Sequence, residues 1–156
     1  MKKLSTFQQF LIGFDSILLI LLILVPSLLY LSVKPKLDGE KSAQKVAQNY
    51  AKFSQVSDVE TFNGQKTYYS VFGKGSDGSD RVVLVDEDGK VIEQLRPTDG
   101  ITAKKALTLA NQAGASNASK VVLGVYDKDV IWEVTAANGY YLINFKTGEL
   151  VKKEEV

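Results

Sequence analysis

The chain of 156 residues contains no cysteine and no histidine. Without cysteine, no disulfide staples the fold and no thiolate serves as nucleophile or metal ligand. Without histidine, the commonest general base near neutral pH and the commonest metal ligand are both missing. The patterns GxxxxGK[ST], GxGxxG and HExxH are absent as well. These absences point away from an enzyme and imply no cofactor. An excess of one charge is also lacking: 19 basic residues face 18 acidic ones, for a net charge of +1. The first 33 residues hold Lys2, Lys3 and Asp15; without them the 19 and 18 become 17 of each sign. A neutral remainder has no electrostatic footprint for nucleic acid or for anionic lipid. With 45% hydrophobic and 24% charged residues, the chain belongs among folded proteins rather than disordered ones.

What the chain does have is a long apolar run near its N-terminus. Ser16 to Val33 (SILLILLILVPSLLYLSV) carries no charge, and Phe10, Leu11, Ile12 and Phe14 extend the run upstream past Asp15. Roughly 20 helical residues cross the hydrocarbon core of a bilayer, so residues 11–33 suffice. Lys2 and Lys3 favour a cytoplasmic N-terminus, with Lys34 and Lys36 weakening the asymmetry. A cleaved signal peptide would have a shorter apolar region and a small-x-small site, whereas this run ends YLSVKPK. It therefore reads as an uncleaved single-pass anchor in the cell membrane, with the C-terminal part extracellular. Asp15 lies near the cytoplasmic end, within reach of headgroups and water, and carries no functional reading.

Pro35 is expected to break the helix beyond the membrane. A second helix over about 38–53 follows from the stripe Ala43, Val46, Ala47, Tyr50 and Ala51. Short apolar runs then alternate with turn signals: 59–62, Asn63-Gly64, 67–72, the loop GKGSDGSD at 73–80, 81–85, Asp88-Gly89 and 91–95. Asn-Gly and Asp-Gly pairs mark hairpins. Thr102 reads as a helix N-cap, followed by the apolar stripe Ala103, Ala106, Leu107, Ala110 and Ala113. Four more strands are expected at 120–126, 130–135, 140–145 and 149–152, with a frayed polar end. The halves match in part by residue: VVLVDEDGKVIEQ (82–94) parallels YLINFKTGELVKK (141–153), and TYYSVFG (67–73) parallels VIWEVTA (130–136). A unit of about 60 residues buries too little surface to stand comfortably alone, so two packed copies are the physical expectation.

The segments VETFNGQKTYYSVFG (59–73), GITAKKALTLA (100–110) and VIWEVTAANGYYLINFKTGELVKK (130–153) resemble the cell wall elongation regulator TseB-like family of Gram-positive bacteria. Each half also resembles a PepSY domain, a cystatin-like arrangement of one helix on an antiparallel sheet. The expected fold is therefore α+β: a short cytoplasmic N-terminus (1–10), a transmembrane helix (11–33), a linker (34–37) and two tandem PepSY-like units (38–96 and 97–153), each a helix on about four strands. The resemblance implies a non-enzymatic, extracytoplasmic binding protein that associates with a membrane-anchored penicillin-binding protein and influences wall elongation. It transfers no catalytic residue. Two rivals stand beside it: a PepSY-type peptidase inhibitor or modulator, and a small-ligand or lipid-binding module.

Period-two alternation separates the faces of each sheet. Tyr69 and Trp132 occupy equivalent positions and read as core beneath the helices. The opposite face holds Tyr68 and Phe72 in the first half and Ile131, Tyr140 and Leu142 in the second. One helix covers one face of a sheet. This second apolar face is therefore either a protein-interaction surface or the place where the two sheets bury each other. Asp86-Glu87-Asp88 reads as a turn rather than a metal site. The Gly/Ser-rich loop GSDGSD (75–80) lacks fixed calcium-ligand spacing and reads as flexible.

Overall fold

The structure is a computed structural model and describes residues 5–155. The chain divides into two units, one ending at Asp38 and the other beginning at Gly39. The first unit is part of a helix long and apolar enough to cross a membrane, and its apolar stretch is not buried against the rest of the chain. Three serine hydroxyls in it are satisfied locally. The Ser16, Ser27 and Ser32 hydroxyls each donate to the carbonyl four residues earlier, at 2.7, 2.7 and 2.8 Å.

Helix α1 runs from Thr6 to Ala51 without interruption and includes both Pro26 and Pro35. This corrects the expected break at Pro35 and removes the linker at 34–37. Proline deprives a helix of one hydrogen bond. Here helix on either side continues the trace, and beyond Asp38 tertiary packing holds it. Ala43, Ala47 and Ala51 are buried against the sheet below. The helix ends at Ala51, and Lys52 turns the chain with a positive φ of 52°.

The second unit contains two four-stranded antiparallel sheets, each a simple meander. The first sheet is β1 (Phe53–Asn63), β2 (Thr67–Gly75), β3 (Asp80–Asp86) and β4 (Val91–Leu95). After a 3-10 turn at Pro97–Asp99 comes helix α2 (Ala103–Gln112). Its N-cap is Thr102, whose hydroxyl accepts from the Lys105 N–H. The second sheet is β5 (Lys120–Tyr126), β6 (Asp129–Ala136), β7 (Gly139–Asn144) and β8 (Leu150–Glu155). Strands β1 and β8 are longer than the alternation predicts. β1 starts at Phe53, and β8 stays paired as far as Glu155, opposite Gly139, instead of fraying.

Tyr69, Val71, Val83 and Val85 put one face of the first sheet beneath the alanines of α1. Trp132, Val134, Tyr141 and Ile143 put one face of the second beneath Ala106 and Ala110 of α2. The Trp132 indole N–H donates to the Ile101 carbonyl at 2.9 Å, which satisfies its polar atom within the core. The alternation placed both aromatics correctly. Val82, Leu84 and Leu95, on the far face of the first sheet, join the core around Trp132. The two sheets therefore share one core. The loop at 75–80, expected to be flexible, is internally hydrogen-bonded. The Asp77 carboxylate accepts from the Ser79 N–H and hydroxyl and pairs with Arg81. These bonds, those from Ser79 foremost, hold its pKa down at about 2. Asp86 closes its turn by accepting from the N–H groups of Asp88 and Lys90 at 3.1 and 2.8 Å.

Candidate functional site

Strand β5 is an edge of the second sheet, and it lies against the first. Its outward backbone groups at Leu123 are met by side chains instead of by a strand. The Leu123 N–H donates to Glu60 Oε2 at 2.8 Å, and the Leu123 carbonyl accepts from the Ser70 hydroxyl at 2.9 Å. The Lys120 ammonium donates to the Thr61 carbonyl at 3.4 Å. Close approach requires a glycine at 124, because a Cβ there would lie 2.2 Å from Phe62 Cγ. The junction puts Phe62 of β1 onto Val122, Ile131 and Leu142, with Tyr68 and Tyr126 packed around them.

This arrangement decides the fate of the five residues singled out as a possible interaction surface. Ile131 and Leu142 are buried, at 0% and 6% exposure. Tyr68 and Phe72 are half-buried and pack against the shared core. These four lie where the sheets cover each other, the second of the two arrangements that the alternation left open. Tyr140 remains, 41% exposed.

Around Tyr140 the second sheet is open. A cleft of about 550 Å³ lies on its outer face, walled on one side by the hairpin tip Phe62–Gln65. The pairing register arranges the floor in rows. Lys120, Thr135, Tyr140 and Glu154 face one another across β5 to β8, and Glu133, Leu142 and Lys152 form the next row. Lys152 reaches across the sheet, its ammonium 5.2 Å from the centre of the Tyr126 ring. It also pairs with Glu154, and that hydrogen bond raises its pKa.

Glu133 stands apart. Its carboxylate makes no hydrogen bond and no ion pair with the described residues. Burial in the cleft floor raises its pKa, Lys120 pulls it back and Glu154 raises it further. Sequence reasoning passed over this residue because WEVT reads as a strand. Its signal was a carboxylate alternating with Ile131 and Thr135 inside the strand segment 130–135. Among the described residues no group of three or more His, Cys, Asp or Glu side chains is placed to hold a metal ion. The cleft offers carboxylates, ammonium groups and a tyrosine face around a space of about 550 Å³, which is the equipment of a binding site.

Residues 42–86 match the family model described as the cell wall elongation regulator TseB-like domain. The chain is 29% identical over 150 residues to the probable cell wall elongation regulator TseB of Bacillus subtilis (strain 168), covering 92% of this chain and 93% of that one. In the solved structure of the YpmB protein from Bacillus subtilis, the fold agrees with a TM-score of 0.67 at 27% identity, over 76% of this chain and 98% of that one. The resemblance carried by the motifs at 59–73, 100–110 and 130–153 thus extends along the chain, which is similar over 92% of its length to a probable cell wall elongation regulator and matches the TseB-like domain model at residues 42–86.

Proposed function

We propose that this protein regulates cell wall elongation by binding, not by catalysis, from the outer surface of the membrane. In this reading α1 anchors the chain with its N-terminus in the cytoplasm, and the two sheets with their helices are tandem PepSY-like, cystatin-like units held outside. The partner is a membrane-anchored penicillin-binding protein. The observation that carries the reading is similarity to a probable cell wall elongation regulator over 92% of the chain. Three features support it. The apolar helix confines the chain to a surface, where a second anchored protein is met at high effective concentration. The absence of histidine and cysteine leaves little means for chemistry. A cleft on the outer sheet face supplies a place to bind.

The small-ligand reading has the same cleft in its favour. Its lining includes Lys120, Glu133, Lys152 and Glu154, which suits a polar ligand and not a lipid chain. Crosslinking of the full-length protein in intact cells separates the readings. Recovery of a penicillin-binding protein, reduced by Tyr140→Ala, is the expected result. Recovery of a peptidase, or of no protein, overturns the regulator reading.

A further inference from the structure

The aligned segments TYYSVFG and VIWEVTA place Ser70 and Glu133 at matching positions, each on the sheet face turned away from its helix. In the first sheet that face is occupied. Edge strand β5 lies on it, with the Ser70 hydroxyl on the Leu123 carbonyl and the Glu60 carboxylate on the Leu123 N–H. In the second sheet the matching face is open, and it forms the cleft around Tyr140. The molecule therefore displays within itself what such a face accepts: an extended chain lying on the sheet, fixed by polar side chains that rise from β1 and β2.

The second face differs in one respect. Where the first has a hydroxyl, it has a carboxylate. Neighbouring charges are already engaged: Lys152 with Glu154 and the Tyr126 ring, Lys120 with the Thr61 carbonyl. Glu133 alone on the floor lacks such a partner among the described residues, and desolvation of an unpaired carboxylate is a cost that a bound cation offsets. Tyr140, in the neighbouring row, presents a ring on which the stem of a long basic side chain can lie.

We propose that the outer face of the second sheet receives an extended segment of a partner protein, with a lysine or arginine of that segment meeting Glu133. This rests on the reading of the chain as a protein-binding regulator and names the chemistry of its site. The full-length protein in nanodiscs is titrated with an acetylated, amidated Thr-Val-Thr-Lys-Thr-Val-Thr peptide, with its norleucine counterpart, and with a muropeptide bearing a free amine. Binding is followed by the tyrosine ring resonances. The lysine peptide is expected to shift the Tyr140 signal, and both the norleucine exchange and Glu133→Gln to weaken it about tenfold. Glu133→Gln keeps the side-chain shape, and unchanged Trp132 fluorescence verifies its fold. Equal binding of the norleucine peptide, indifference to Glu133→Gln, or response to the muropeptide alone overturns the proposal. Loss of the lysine-peptide shift while the penicillin-binding protein still crosslinks sinks this site and leaves the regulator reading standing. A lysine-dependent shift without that crosslink sinks the regulator reading and leaves the site.

Discussion

Ser70 and Glu133 hold matching places in the two halves but meet opposite circumstances. Ser70 is fully buried and spends its hydroxyl on Leu123. Replacing it with alanine strands a buried carbonyl at the junction, and a loss of about 1–3 kcal/mol is expected in urea unfolding followed by the Trp132 signal. Glu133 and Glu60 both carry raised pKa values because burial disfavours their charged forms. The folded state therefore holds their protons more tightly than the unfolded state does. Their contribution is fully present below the ordinary value of 4.5 and is lost as pH rises through the raised folded values. Glu133→Gln is expected to flatten that decline and to leave the protein as stable as wild type or slightly more so at pH 7. A thermal melt series from pH 4 to pH 8 checks this; a Gln variant with the wild-type slope contradicts it. Asp77 acts in the opposite sense, since its stabilising bonds fade as pH falls toward about 2.

Among elements, strand β5 most repays attention. Its segment KVVLGVY is a good strand with one glycine inside it, and interior glycine often marks close backbone approach. Gly124 is where Phe62 closes on the strand, and alternation alone does not say which neighbour lies on a face. The period-two pattern put Tyr69 and Trp132 beneath helices, because each helix follows the chain locally. It left Ile131 and Leu142 undecided, because what covers them comes from β1, some 70 residues earlier in sequence. Helix α1 went astray for a related reason. Pro35 was weighed as a local rule, whereas the helix beyond it is fixed by Ala43, Ala47 and Ala51 against a sheet formed later. The hairpin at Asn63-Gly64 was predicted for its φ preference. Gly64 does not adopt a positive φ, and its value is room: a Cβ would lie 2.6 Å from the Phe62 ring. For the strand itself, Gly124→Ala forces Phe62 away from β5, and a loss of about 3 kcal/mol is expected in the same unfolding assay. A loss below about 0.5 kcal/mol would show that the two sheets yield easily.

For the whole molecule, the absence of cysteine becomes an experimental advantage. A single cysteine placed at Ser76 is expected to react with a membrane-impermeant maleimide on intact cells, and one placed at Ser5 only after lysis. The reverse pattern would invert the proposed orientation and place the sheets in the cytoplasm. The core shared by the two sheets has a further consequence. Val82, Leu84 and Leu95 are seated among residues contributed by the other sheet and α2, while the segment joining the halves is exposed from Arg96 to Asp99. A protease that nicks this segment cuts the covalent thread without touching the core. The two pieces are expected to remain clasped as a complex, so the two-sheet unit can be severed in the middle and still elute as one particle.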